Sequence, residues 1–290
     1  MRYHHPVCLD HLGLVTCDLA MAARAMQRAG FCVAPLSFHC ERAPGLDAPR
    51  KTGTANQCLM FRRGYLEMLG IVDAQRYSGW ITGALSRYQG LHIVGFGHED
   101  IQSLVARLTA QGREPLVRRL TRMVEIDGEE RAASFTILFH SDAEFPEGRF
   151  VTMQHHTPDV LWHPSLLNHP NGAQALAGVT LVVDDPDEFA GRVSACSAAA
   201  QTRMAAEALR LHFPGGFIEA MSAREARSVY GSALPSPLPP IVGMTIEVAE
   251  LAATALLLKQ HRIEHQDTSS GVLVPAAECC GAFIHFIQEV

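Results

Sequence analysis

Glu67 stands at the centre of an apolar run, GYLEMLG (64–70). A carboxylate there is costly to bury unless something satisfies it. Two other apolar runs carry an imidazole near the middle: His11 in LDHLGLV (9–15) and His92 in GLHIVGF (90–96). Imidazoles and carboxylates carry protons and ligate divalent metals. Side chains alternate faces along a strand, so Leu9, His11 and Gly13 share one face. By the same rule Tyr65, Glu67 and Leu69 share a face in the second run. Asn56 lies in GTAN (53–56), and Gln154 shares the face of Thr152 in RFVTMQH (149–155). Such groups can orient a substrate carbonyl, while Asn56 can equally hold a turn.

The elements that must position these residues recur four times. LDHLGLV, GLHIVGF, GVTLVVD (178–184) and GMTIEVA (243–249) read as short strands. Each precedes an amphipathic stretch. DLAMAARAMQRAG has Asp18 as a cap and Gly30 as a stop, and HEDIQSLVARLTAQG ends at Gly112. DPDEFAGRVSACS places Pro186 just inside its start, and ELAATALLLKQHR is rich in helix formers. The units close with GYLEMLG, RFVTMQH, GFIEAMS (216–222) and AFIHFIQ (282–288). Between helix and closing strand lie NQCLMFR, SFTILFH, ALRLHF and GVLVPA, so each unit reads strand, helix, then two or three strands.

Equivalent positions in this alignment are His11, His92, Thr180 and Thr245 in the opening strands, and Glu67, Thr152, Glu219 and His285 in the closing strands. Their separations are 56, 60, 39 and 40 residues, so the units pair as two and two. The last two read as trimmed. Proline-rich breaks at 157–175 and 233–240 and a loop at 45–53 separate the periodic stretches.

Composition narrows the class. The chain has 290 residues, 48% of them hydrophobic, and a formal charge of −6. No basic stripe would track a nucleic-acid backbone. No apolar run approaches the roughly 20 residues of a membrane span, and no secretory leader is read at the N-terminus, so a cytoplasmic location is expected. None of the eight cysteines forms C-x-x-C, and most lie in apolar runs as small buried hydrophobes. His155, His156, His163 and His169 read as surface or interface histidines.

LDHLGLV, a helix ending in AGF, GTAN, GYLEMLG and the run HPNGA (169–173) together resemble the glyoxalase-like domains of the vicinal-oxygen-chelate superfamily. The resemblance covers nearly the whole chain. It implies an α+β fold of four βαβββ modules paired into two open half-barrel domains. Residues 1–160 would hold the active cleft and 175–290 a scaffold. It also implies a ligand set from the first two modules: His11, Glu67 and His92, with Thr152 departing from the fourth ligand of glyoxalase-type members. Those residues would hold Fe, Mn, Ni or Zn, and Glu67 would also shuttle a proton. If there is no metal, the same pocket is a polar one satisfied by hydrogen bonds. Thr180, Glu219, Thr245 and His285 would bind none.

The expected function is a metalloenzyme of lyase or isomerase type, acting on a small oxygenated metabolite chelated through vicinal oxygens. Two alternatives stand beside it: a metal-free binding or sequestration protein of the bleomycin-resistance kind, and an extradiol-dioxygenase-like oxidoreductase. The last usually carries its ligands in the C-terminal pair, whereas here the ligand types lie in the N-terminal pair. The expected partner is a small-molecule substrate, with a homodimer left open.

Overall fold

Three of the helices start at an acidic cap that the sequence offers. Asp18, Asp100 and Asp185 each accept backbone N–H groups from the first turn of the helix they precede. That satisfies donors a helix start otherwise leaves unpaired. Gly30 and Gly112 follow two of these helices with positive φ, as a chain leaving a helix requires. The structure is a computed structural model describing residues 7–41, 50–197 and 199–288. The start of the loop expected at 45–53 and the first six residues lie outside the described residues.

The first module is β1 (Cys8–Thr16), α1 (Leu19–Arg28), β2 (Ser37–Glu41), β3 (Arg50–Met60) and β4 (Tyr65–Ile71). Helix α2 (Trp80–Arg87) leads to the second: β5 (Gly90–Gly97), α3 (Ile101–Ala110), β6 (Leu116–Ile126), β7 (Glu129–Phe139) and β8 (Arg149–His155). A connector with α4 (Pro158–Leu161) follows. The third module is β9 (Ala173–Val182), α5 (Pro186–Cys196), β10 (Ala200–Ala205), β11 (Ala208–Phe213) and β12 (Gly216–Met221). After α6 (Ala223–Tyr230) comes the fourth: β13 (Ile241–Val248), α7 (Leu251–Gln260), β14 (Gln266–Thr268), β15 (Gly271–Val274) and β16 (Phe283–Ile287).

These strands form two eight-stranded sheets of the same order, β2-β3-β4-β1-β5-β8-β7-β6 and β10-β11-β12-β9-β13-β16-β15-β14. In every module the closing strand lies parallel to the opening strand, and the two opening strands of a pair run antiparallel at the centre. The expected paired half-barrels are therefore present. In the first sheet the edges β2 and β6 meet, where Ser37 Oγ donates to the Met123 carbonyl at 2.8 Å, so that sheet is nearly closed.

Three features differ from the sequence reading. The last two modules each have all three strands after the helix, in short form. The strands β2, β6, β10 and β14 went unread because as edge strands they carry mostly exposed side chains that mix polar and apolar types. Asn56 sits inside β3, paired with Leu69 of β4, and not in a turn.

One apolar core runs between the halves, from Leu9, Phe61 and Phe96 to Leu176, Phe213 and Ile246. The HPNGA run latches them. His169 accepts from the Cys32 N–H at 3.0 Å and donates to the Met60 carbonyl at 2.9 Å. Asn171 Nδ2 donates to the Ala29 carbonyl at 2.9 Å, and its Oδ1 accepts from Ala173 N–H. Asn171 is buried. Asn171→Ala should therefore cost about 1–3 kcal/mol, since it strands buried backbone groups. Denaturant unfolding with an unchanged midpoint would show that the latch does not bear on stability.

Candidate functional site

The pairing of β1 with β5 decides which side chains face the interior of the first sheet. Leu9 pairs with Phe96 and His11 with Gly95, so Asp10 is an extra, bulged residue. Gly13 then pairs with Ile93 and Leu14 with Leu91, which makes His92 the bulged residue of β5. Bulges re-aim side chains in this way. By this register Asp10 mirrors His92, His11 mirrors Ile93, and Gly13 mirrors Gly95. The closing strands follow: Gly13 lies beside Glu67 and Gly95 beside Val151. The positions equivalent to His11 and Glu67 in the second module are thus Ile93 and Val151.

His11 lines a cleft of about 300 Å³ inside the first sheet, together with His39, Asn56, Tyr65, Glu67, Arg122 and Arg149. Its ring stacks on Tyr65, centroids 4.7 Å apart, and lies over Gly95. His11 Nδ1 meets Asp10 Oδ2 at 2.9 Å. Asp10 is fully buried and also meets His155 Nε2, at 3.1 Å. Burial alone would raise the Asp10 pKa, but the charge on His155 and the hydrogen bonds from His11 and His155 outweigh it. They hold the carboxyl well below its usual range. A carboxylate on Nδ1 fixes the tautomer, leaving the Nε2 lone pair of His11 for the cleft. The opposite ring nitrogen of His155 is buried without a partner among the described residues.

Glu67 is not left bare. Asn56 Nδ2 donates to its Oε1, and Arg122 Nη1 stands 3.7 Å from the same oxygen. Burial lowers the pKa of His39, partly opposed by the charge on Glu67, and its Nδ1 meets Thr54 Oγ1 at 2.8 Å. Trp80, Phe135, Ile137 and Phe139 give the cleft an apolar wall.

Of the residues singled out from sequence, His11, Glu67 and Asn56 converge on this cleft. His92 does not. Its ring stacks on Tyr88 with centroids 3.9 Å apart, its Nε2 donates to the Tyr88 carbonyl at 2.9 Å, and burial lowers its pKa. Thr152 and Gln154 lie on the opposite face of β8 from Arg149, Val151 and Met153, which line the cleft. Thr152 Oγ1 meets His140 Nε2 at 3.0 Å, and Gln154 accepts from the Ile101 N–H at the start of α3. Matching histidine to histidine shifted the second module by one residue; matching Gly13 to Gly95 would have set it right. The sequence reading missed Asp10, His155, Arg122 and Arg149. Asp10 offered a signal, an acid in the middle of an apolar strand.

A resident divalent metal does not fit this cleft. Two of the four equivalent positions carry apolar side chains, and Glu67 is already held by an amide and a guanidinium. Catalytic zinc sites bring three protein ligands. Among the described residues, the group whose ligand atoms all lie within 4.8 Å of one another is His140, Glu144 and Cys196, outside the cleft. There Arg113 pairs with Glu144 and approaches Cys196 Sγ to 3.6 Å, so a positive charge already faces the place an ion would take.

The second sheet lacks such a cleft residue set. Thr180 and Thr245 take the places of Gly13 and Gly95, while Gly178 and Gly243 take those of His11 and Ile93. Glu219 accepts from Tyr230 at 2.8 Å, Thr180 at 3.2 Å, and Arg210. Tyr230 comes from α6 and stacks on Phe283, centroids 4.3 Å apart, filling the interior.

A sequence profile of a glyoxalase-like domain family matches residues 9–196. Among solved structures, a hypothetical protein from Staphylococcus aureus superposes with a TM-score of 0.65 at 10% identity, covering 98% of this chain and 100% of that one. A triple mutant of 4-hydroxymandelate synthase from Streptomyces coelicolor gives 0.57 at 11% identity, with 98% and 93% covered. A xylose isomerase-like TIM barrel/4-hydroxyphenylpyruvate dioxygenase fusion protein gives 0.54 at 13%, with 97% and 48% covered. At these identities the likeness is one of fold. No curated protein matches by sequence. No helix among the described residues is long and apolar enough to cross a membrane.

Two measurements test the site. A Cβ on Gly95 would stand 2.1 Å from the His11 ring, so Gly95→Ala should push the imidazole off Asp10. The expected cost is about 1–3 kcal/mol, with a changed His11 ring signal in NMR; an unaltered signal would count against the stack. Burial, then Arg113, pushes His140 down to about 4 from an ordinary 6.5. The fold therefore disfavours its imidazolium. That stability is whole above pH 6.5 and is lost as pH falls towards about 4. His140→Gln should flatten the acid limb of the stability curve in that window, and an identical limb would refute this.

Proposed function

The chain belongs to the glyoxalase-like domain family, and on that footing we propose that it is a proton-transfer enzyme of lyase or isomerase type, acting on a small oxygenated metabolite in the first-sheet cleft. The observation that carries this reading is the His11–Asp10 pair. A buried carboxylate on Nδ1 fixes the tautomer of the imidazole and turns Nε2 towards the cleft.

His11 takes a proton from an atom next to an oxygenated carbon. Arg122, which lines the same cleft, stabilises the negative charge that develops. The proton taken up by His11 returns from the same imidazole to a neighbouring atom of the intermediate, which closes the cycle on one group, while Glu67 holds Arg122 in place. The polar groups that fix orientation are few and the walls apolar, as in small-molecule sites generally. No step passes through a metal, since among the described residues no three ligand atoms of the cleft converge as such a site would need.

A second reading is a cleft that only binds, favoured by the aromatic wall of Trp80, Phe135 and Phe139. Turnover separates the two. For any substrate found by screening oxygenated metabolites, His11→Gln should lower kcat by about 10²–10⁴-fold, the usual worth of a positioned acid–base group. Treatment with a chelator should leave turnover unchanged. Undiminished kcat in His11→Gln would overturn the assignment of the base, and loss of activity with the chelator, restored by a metal, would overturn the metal-free chemistry.

A further inference from the structure

The charges around the cleft leave one over. Glu67 faces Arg122. Asp10 is held between His11 and His155. Arg149, the first residue of β8, also lines the cleft, and among the described residues its guanidinium has no ion-pair or hydrogen-bond partner. Asp142 lies near enough to be felt and Arg118 repels it, and a guanidinium does not give up its proton at ordinary pH.

The group is nonetheless placed with care. It sits 4.9 Å from the centre of the Trp80 ring and 5.0 Å from that of Phe139. Stacking on aromatic faces holds the plane of an arginine and weakens its need for water. The edge that carries its N–H groups is left for another partner. An unpaired, half-buried cation beside apolar side chains is costly unless an anion meets it. Ile93, Val151 and Met153 continue the wall without any polar group.

We propose that Arg149 is the anion anchor of the cleft, and that its ligand is a flat, largely apolar molecule carrying a single carboxylate. The carboxylate lies in the fork of the guanidinium, where two parallel N–H···O bonds form. The unsaturated body lies along Trp80, Phe135 and Phe139. One negative charge answers the one cleft guanidinium that has no hydrogen-bond or ion-pair partner among the described residues. This rests on the reading of the cleft as the functional site, and it adds the class of substrate.

The probes are 2-naphthoate and its neutral counterpart 2-naphthamide, of equal size and shape. Binding to the intact protein is followed by calorimetry and by tryptophan fluorescence. The wild-type chain should bind the carboxylate at least about tenfold more tightly than the amide, as a charge-assisted pair predicts. Arg149→Met should bring the two probes to equal affinity. Arg118→Met, at an exposed neighbour, should leave the preference as it was. Equal binding of both probes by the wild type, a preference that survives Arg149→Met, or no binding of 2-naphthoate at millimolar concentration would each overturn the anchor. The wild-type comparison needs no variant and so survives a folding failure. Binding of these probes is read without turnover, so loss of the proton-transfer reading and loss of the anchor are seen separately.

Discussion

One antiparallel pairing, that of β1 with β5, governs what the first half of this chain can do. It admits an extra residue on each strand, Asp10 on one and His92 on the other. Each bulge moves the next side chain inward. On β1 that side chain is His11 and on β5 it is Ile93, so two strands of similar sequence deliver opposite chemistry. The bulge also turns Asp10 away from water, where a lone carboxylate would be costly. It is tolerable because two imidazoles meet it, and one of those imidazoles is the cleft histidine itself.

The two sheets share one order and one register, yet among the described residues a cleft with this set of polar side chains lies in the first. Each has a carboxylate at the same place, Glu67 and Glu219, and each answers it with a guanidinium of its own sheet, Arg122 and Arg210. The difference lies in the helix between modules. In the second half α6 brings Tyr230 onto Glu219 and Phe283, and the interior is closed. In the first half the corresponding α2 buries Ile81 and Ala84 against the sheet and sets Trp80 at the cleft wall, leaving space between. Interiors pack to near-crystal density, so space left open between otherwise closed elements marks a place built for a ligand.

How much of this could be read from the sequence follows from which signals are local. The four opening strands, their helices and the closing strands were legible, because apolar runs and Asp18, Pro186 or Gly30 announce them without reference to the rest of the chain. The polar edge strands were not, since β6 and β10 take their stability from pairing and not from burial. The site was half legible. His11 and Glu67 stood out as polar centres of apolar runs. His92 stood out in the same way and deceived, because a bulge is a property of the pair of strands and cannot be seen in one. Arg122 and Arg149 carried no local signal that would single them out. Only the fold shows that they point inward.

The same register explains why the cleft does not assemble the ligand set that its family resemblance implied. A shared ion needs donors from both modules, and the second contributes Ile93 and Val151 where the first contributes His11 and Glu67. Glu67 must still be neutralised, and Arg122 does so from β6 at 3.7 Å. A guanidinium differs from a metal in what it leaves behind. An ion would occupy the lone pairs of His11 and Glu67 and make the histidine a ligand. Arg122 engages Glu67 and Cys58 but not His11, which, with Nδ1 on Asp10, keeps its other nitrogen for the cleft. The loss of two donors in one module thus changes the role of the histidine in the other, from holding an ion to moving a proton.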